Sequence, residues 1–189
     1  NNLDLYHQRA MFYVENKDFT SALMDINRVL AIDSNNTKYL MTGADIHFFI
    51  NKIQRADQLL KRAVEVEPTN VECLLKLAQL HHYLQRYDEE IEVLNKVLDQ
   101  DRRNAQAYFM RGMVAKEKGD TARAMSEMQL AVQMDPDYYN AYIQMGVISA
   151  SQGKPVAVDF YRNALQVQPT SMEALYNLAM YYQENGQPR

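Results

Sequence analysis

At 189 residues, with 47% hydrophobic and 23% charged side chains, the chain has the composition of a soluble globular domain. Six glycines and five prolines leave little room for flexible linkers, and no run approaches the roughly 18 apolar residues of a membrane span. A net charge of −4 weighs against nucleic acid, which needs a basic footprint to displace counterions.

The first unit, residues 3–36, opens with Tyr6, places small Ala10 four residues later and has Tyr13 before a turn. A second apolar stretch then carries Ala22 and Val29. The same spacing recurs down the chain. Ala10, Ala44, Ala78, Gly112 and Gly146 stand 34 residues apart, and Ala179 follows after 33. Ala22, Ala56, Glu90, Ala124 and Ala157 form a second series, and Val29, Ala63, Val97, Ala131 and Ala164 a third. The units run 3–36, 37–70, 71–104, 105–138 and 139–171, with a partial unit over 172–189.

Each unit reads as two helices. In the fourth, AQAYFMRGMVAKEK predicts one amphipathic helix, GDT a turn, and ARAMSEMQLAVQMDP a second helix closed near Pro136. Two helices approach closely only where a side chain is nearly absent, so Ala or Gly is expected at each crossing. Ser34 and Arg102 stand where Pro68, Pro136 and Pro169 close other units. Pro155 falls in the turn of the shortened fifth unit, where it can start a helix.

This pattern resembles the tetratricopeptide repeat, the 34-residue helix–turn–helix family. The matching residues are the opening Tyr6, Leu40, Leu74, Tyr108, Tyr142 and Leu175, the small residue four places on, and the aromatics Tyr13 and Tyr182. The turns at Gly119-Asp120, Gly153-Lys154 and Gly186-Gln187 and the closing prolines complete it. The resemblance implies an all-α fold, a right-handed superhelical solenoid formed by a single domain over residues 1–189. The missing starting Met, Asn1-Asn2 as the tail of a preceding unit, and Pro188 in a last turn suggest a piece of a longer array.

The resemblance also implies a concave groove lined by the fifth, ninth, twelfth and thirteenth places of each unit. The fifth place reads His7, Met41, Leu75, Phe109, Ile143 and Tyr176; the ninth reads Met11, Asp45, Gln79, Met113, Val147 and Met180. With His82 on the groove side, the expected partner-binding residues are Met41, Leu75, Gln79, His82, Phe109, Met113, Ile143, Val147, Tyr176 and Met180. Three readings of this apolar ladder stand: packing between successive first helices, an open groove, or a contact in an oligomer. Asp4, Glu15, Asp45, Glu72, Glu117, Glu173 and Glu184 outnumber Lys38, Lys76 and Lys116 on the same face. The expected partner is therefore a protein or peptide presenting an apolar segment or amphipathic helix with basic flanks.

Catalytic signatures are missing from the sequence: there is no phosphate-cradling loop, no G-x-S-x-G and no H-E-x-x-H. No enzyme, cofactor or metal is expected. Single Cys73 has no histidine at i±3 or i±4 to activate it and reads as a packing residue. It allows either the cytoplasm or a bacterial envelope. His47 and His81 occupy equivalent places about 10 Å apart by helix packing distances, too far for one metal ion. Glu90 replaces the crossing alanine of the third unit. His81 is equally far from the hairpin turn, so a His81–Glu90 pair is expected, with His82 turned toward the groove. The function implied is a protein-interaction scaffold, with a structural spacer or recruitment segment of a larger protein as the alternative.

Overall fold

The computed structural model describes residues 2–185. Gly186, Gln187, Pro188 and Asn1, invoked above for a last turn and a first tail, lie outside the described residues. The chain divides into two compact units, Asn1–Gln100 and Asp101–Arg189. Eleven helices and no strand occur among the described residues. The first unit holds α1 (Asn2–Glu15), α2 (Phe19–Ile32), α3 (Thr37–Phe49), α4 (Ile53–Val66), α5 (Val71–Tyr83) and α6 (Tyr87–Gln100). The second holds α7 (Ala105–Glu117), α8 (Thr121–Met134), α9 (Tyr139–Ser151), α10 (Ala157–Val167) and α11 (Met172–Glu184). In both, helices pack in consecutive pairs, and each pair packs on the next within its unit.

One turn recurs five times. Lys17, Asn51, Gln85, Gly119 and Gly153 all have φ between 56° and 78°. Each is followed by a residue whose N–H returns to the first helix, as in Asp18→Tyr13 at 2.8 Å and Asp120→Ala115 at 2.9 Å. This left-handed cap satisfies carbonyls that the helix end would otherwise strand. Glycine takes that conformation freely at 119 and 153, whereas Lys17, Asn51 and Gln85 hold it against a Cβ penalty. Asp18 and Asp120 then cap the following helices by accepting from the N–H groups of Ser21 and Arg123.

The crossing residues behave as expected. Ala10, Ala22, Ala44, Ala56, Ala78, Ala124 and Ala157 are buried, as are Gly112 and Gly146. A Cβ at Gly112 would stand 3.0 Å from Met128 Cγ and 3.2 Å from the Ala124 carbonyl. Around these crossings lie Ile26, Val29, Tyr39 and Ile46 in the first unit. Met128, Ala131, Met145 and Ile148 fill the corresponding region of the second. Ala179 in α11 is exposed, with no second helix after it among the described residues.

Two charged pairs replace apolar contacts inside this pattern. Arg9 donates to buried Asp25 through Nε at 2.6 Å and Nη2 at 2.8 Å. Arg111 donates to buried Glu127 at 2.5 Å. Both arginines sit one residue before the crossing residue, and both acids sit three after its partner. The other units carry Gly43 with Leu59, Leu77 with Val93, and Met145 with Phe160 in those places. The Arg9 guanidinium holds the Asp25 carboxyl below its ordinary value of 3.8. Its contribution is therefore present above that value and lost as pH falls through the depressed one. Arg9→Leu alone should destabilise the protein by about 1–3 kcal/mol, because Asp25 keeps its burial and loses its partner. The double change Arg9→Leu with Asp25→Leu should recover most of that loss, since apolar pairs suffice elsewhere in the chain. Urea unfolding of the single and double variants checks this; a double variant as weak as the single would refute it.

Candidate functional site

The predicted groove residues are not uniformly open. Met41 and Ile143 are buried, at 6% and 2% exposure. Met41 Sδ lies 3.5 Å from the thiol of Cys73, which is itself fully enclosed. Burial pushes that thiol up to about 11, so it remains protonated and packs as an apolar group. Leu75, Phe109, Met113, Val147 and Met180 are half-buried, with the Phe109 ring 5.2 Å from Tyr138. Gln79 and Tyr176 are exposed. In the second unit, Tyr176 and Met180 help line a depression of about 420 Å³ on α11 with Leu175, Leu178 and Tyr182.

A cluster of exposed rings in the first unit lies at the twelfth and thirteenth places. Phe49 and Tyr83 are exposed at 56% and 58%, and Phe48 and Met11 are exposed beside them. Phe49 stacks on Phe19 at 5.4 Å, Phe48 meets Phe49 edge-on at 6.3 Å, and Phe48 meets Tyr83 at 5.0 Å. Phe49 and Phe48 each line a depression. One of about 310 Å³ is lined by Met11, Val14, Glu15, Thr42, Asp45, Phe49 and Lys76. The other, about 110 Å³, is lined by Ala44, Phe48, Ala56, Leu60, Gln79 and Leu80, and shares Asp45 and Lys76 with the first. Lys76 bridges both carboxylate oxygens of Asp45, at 3.0 and 2.8 Å, where the two depressions meet. Reading out the twelfth and thirteenth places would have found Phe48, Phe49 and Tyr83 in the sequence. The stacking of Phe19 on Phe49 had no sequence signal.

The histidines depart from expectation. Glu90, at 0% exposure, bonds to His82 Nδ1 through Oε2 at 3.0 Å, not to His81. His82 lies four residues after Ala78, the crossing residue, so it follows the stripe of α5 that faces α6. Equal distance from the turn could not separate neighbours that differ by about 100° around the helix. His82 is 34% exposed and so reaches the surface while holding Glu90. His81 is buried, with Asp57 of α4 at 3.7 Å and Glu89 at 3.6 Å, both beyond hydrogen-bonding distance. Burial lowers the pKa of His81 and of His47. Among the described residues no group of three His, Cys, Asp or Glu could hold a metal ion, and no helix is long and apolar enough to cross a membrane.

Three family models match the chain. They are "Anaphase-promoting complex, cyclosome, subunit 3" over residues 15–97 and two "Tetratricopeptide repeat" models over residues 105–138 and 160–189. With the eleven helices of the described residues paired as above, the chain has a tetratricopeptide-repeat fold, and residues 105–138 and 160–189 match that repeat directly. It is similar to the Photosystem I assembly protein Ycf3 of Acaryochloris marina, 31% identical over 93 residues, which are 47% of this chain and 56% of that protein. The protein of the same name from Cyanophora paradoxa is 30% identical over 89 residues, 45% of this chain and 51% of that one. The chain thus spans about half the length of the curated relatives it matches.

Solved structures resemble it over more of its length. The Pseudomonas aeruginosa PilF structure has a TM-score of 0.83 at 16% identity, covering 97% of this chain and 84% of that one. MamA gives 0.72 at 22%, covering 85% and 94%. YrrB, described as a tetratricopeptide-repeat protein with an unusual peptide-binding site, gives 0.66 at 19%, covering 90% and 89%. At these identities the likeness shows the fold.

Proposed function

We propose that the chain is a protein-interaction scaffold that holds a peptide or helix of a partner on the first helices of its repeats. The exposed aromatic cluster of Phe48, Phe49 and Tyr83, in which Phe48 and Phe49 each line an apolar depression, carries this reading. Rings kept in water at a concave site are the usual mark of a binding surface. The acids on the same helices of the first unit, Asp4, Glu15, Asp45 and Glu72, outnumber Lys38 and Lys76. They favour a partner with an apolar core and basic flanks. The relatives named for assembly and for peptide binding are consistent with such a role. A binding role, not catalysis, fits a chain whose most perturbed carboxyl is packed inside a helix pair instead of lining a cleft.

Selection from a random peptide display library against the whole chain tests this. Enriched sequences should combine large apolar and basic residues. Their affinity should fall at least about tenfold in Phe49→Glu and Leu75→Glu variants that keep their circular dichroism. Tyr83→Glu, at an exposed site, keeps the test decisive if Leu75→Glu misfolds. Unchanged capture by these variants, or no enrichment at all, would overturn the reading.

A further inference from the structure

The smaller depression, the one that Phe48 lines, has the size and lining of a seat for a single side chain. It sharpens the scaffold reading, on which it rests. Its floor is made of four buried aliphatic residues: Ala44 of α3, Ala56 and Leu60 of α4, and Leu80 of α5. Exposed Phe48 forms one wall.

Two residues keep this space open. In the next repeat the same places, 34 residues on, hold His82 and Glu90, and Glu90 Oε2 meets His82 Nδ1 at 3.0 Å. Here Ala56 ends at its Cβ, and the Phe48 ring lies edge-on to Tyr83 at 5.0 Å. Both residues line the depression where the next repeat has its pair.

Size and charge select the guest. A dry apolar cavity of about 150 Å³ holds one benzene ring. At about 110 Å³ this one is too small for a benzyl or indole group and suits an aliphatic chain. At the rim Lys76 donates to both oxygens of Asp45, at 3.0 and 2.8 Å, so these charges satisfy each other. An uncharged guest therefore enters without stranding an ion. Gln79, exposed at the same rim, has an amide to offer the backbone beside the guest. Asp45 and Lys76 also line the depression of Phe49, so the chain flanking the guest continues over that one.

We propose that this depression is the anchor pocket for one leucine-sized aliphatic side chain of the partner's segment. Phe48 and Ala56 set its preference for aliphatic over aromatic groups.

NMR titration of the whole chain, carbon-13-labelled at its alanine and leucine methyl groups, with N-acetylleucinamide tests the assignment. The methyl signals of Ala44, Ala56, Leu60 and Leu80 should move together and saturate in the millimolar range expected for one buried side chain. N-acetylphenylalaninamide should bind there at least about fivefold more weakly. Phe48→His with Ala56→Glu, which copies the pair of the next repeat, should abolish the shifts at Ala44, Leu60 and Leu80. Phe48→Ala, at an exposed site, keeps the test decisive if that variant misfolds: the preference between the two amides should shrink to within about twofold. Peptides enriched by display should carry leucine, isoleucine or methionine at one fixed position, and alanine there should lower affinity at least about tenfold.

No saturable shift by about 50 mM, equal binding of the two amides, or shifts that survive in the paired variant would overturn the assignment. If display peptides lose affinity in Phe49→Glu yet tolerate alanine at every aliphatic position, the scaffold reading stands and this one falls. If display enriches nothing, or the chain sediments as an oligomer that the paired variant dissociates, both readings fall; in the second case the pocket holds a side chain of a second copy.

Discussion

Glu90→Gln is expected to stabilise the protein by roughly 2–4 kcal/mol above pH 8 and to change it little below pH 4.5. Glu90 is enclosed between α5 and α6, and burial raises its carboxyl from an ordinary 4.5 to about 8. In that window the folded state holds a proton that the unfolded state has released. Stability of the wild type therefore falls as pH rises from 4.5 to 8, because ionising the buried group costs solvation that one contact to His82 only partly replaces. Glutamine keeps the shape, donates an N–H to His82 Nδ1 in place of the carboxylic proton, and does not titrate. Urea unfolding at pH 5 and pH 8.5 reads the difference directly. Parallel pH profiles for wild type and variant would show that Glu90 is solvated in the folded protein.

Gly146→Val should cost about 2–3 kcal/mol, toward the upper end for overpacking a core. A Cβ at Gly146 would lie 2.7 Å from Tyr161 Cδ1, 3.0 Å from Cζ and nearer still to Cε1. Tyr161 is buried and stands where the other second helices carry Ile26, Leu60, Leu94 and Met128. The largest side chain in that series thus faces a residue with no side chain, and the two are matched. Gly43 offers the contrast: its neighbours are the ends of Leu59 and Leu30 at 3.3 and 3.4 Å, which can yield. Gly43→Ala should therefore be within about 1 kcal/mol of neutral, helix propensity offsetting the tighter contact. Equal losses at the two positions would mean that Tyr161 is not what limits Gly146.

These cases show which parts of the molecule were legible. Repetition made the helix pairs and their crossings readable, because a small residue every 34 positions has one structural cause, close approach of two axes. The turns were half readable: Gly119 and Gly153 signal them, whereas Lys17, Asn51 and Gln85 adopt the same left-handed geometry without a compositional mark. The arginine–acid pairs were visible as residues but not as pairs. Arg9 and Asp25 are 16 positions apart, and only the helix crossing brings the guanidinium to the carboxylate. The groove was legible as a register and not as a surface. Met41 and Phe49 belong to equally plausible groove places, yet one is closed over by its neighbours and the other stands in water.

By itself the sequence determined the period, the helical class and the small-residue stripe at which each pair crosses, since a 3.6-residue helix and a 34-residue repeat leave those few alternatives. Exposure and partnership were decided by tertiary structure alone. They depend on rotamers and on side chains arriving from other helices, and a single residue of register turns a group through about 100°. That step is the whole difference between His81, enclosed near Asp57, and His82, which reaches the surface and holds Glu90.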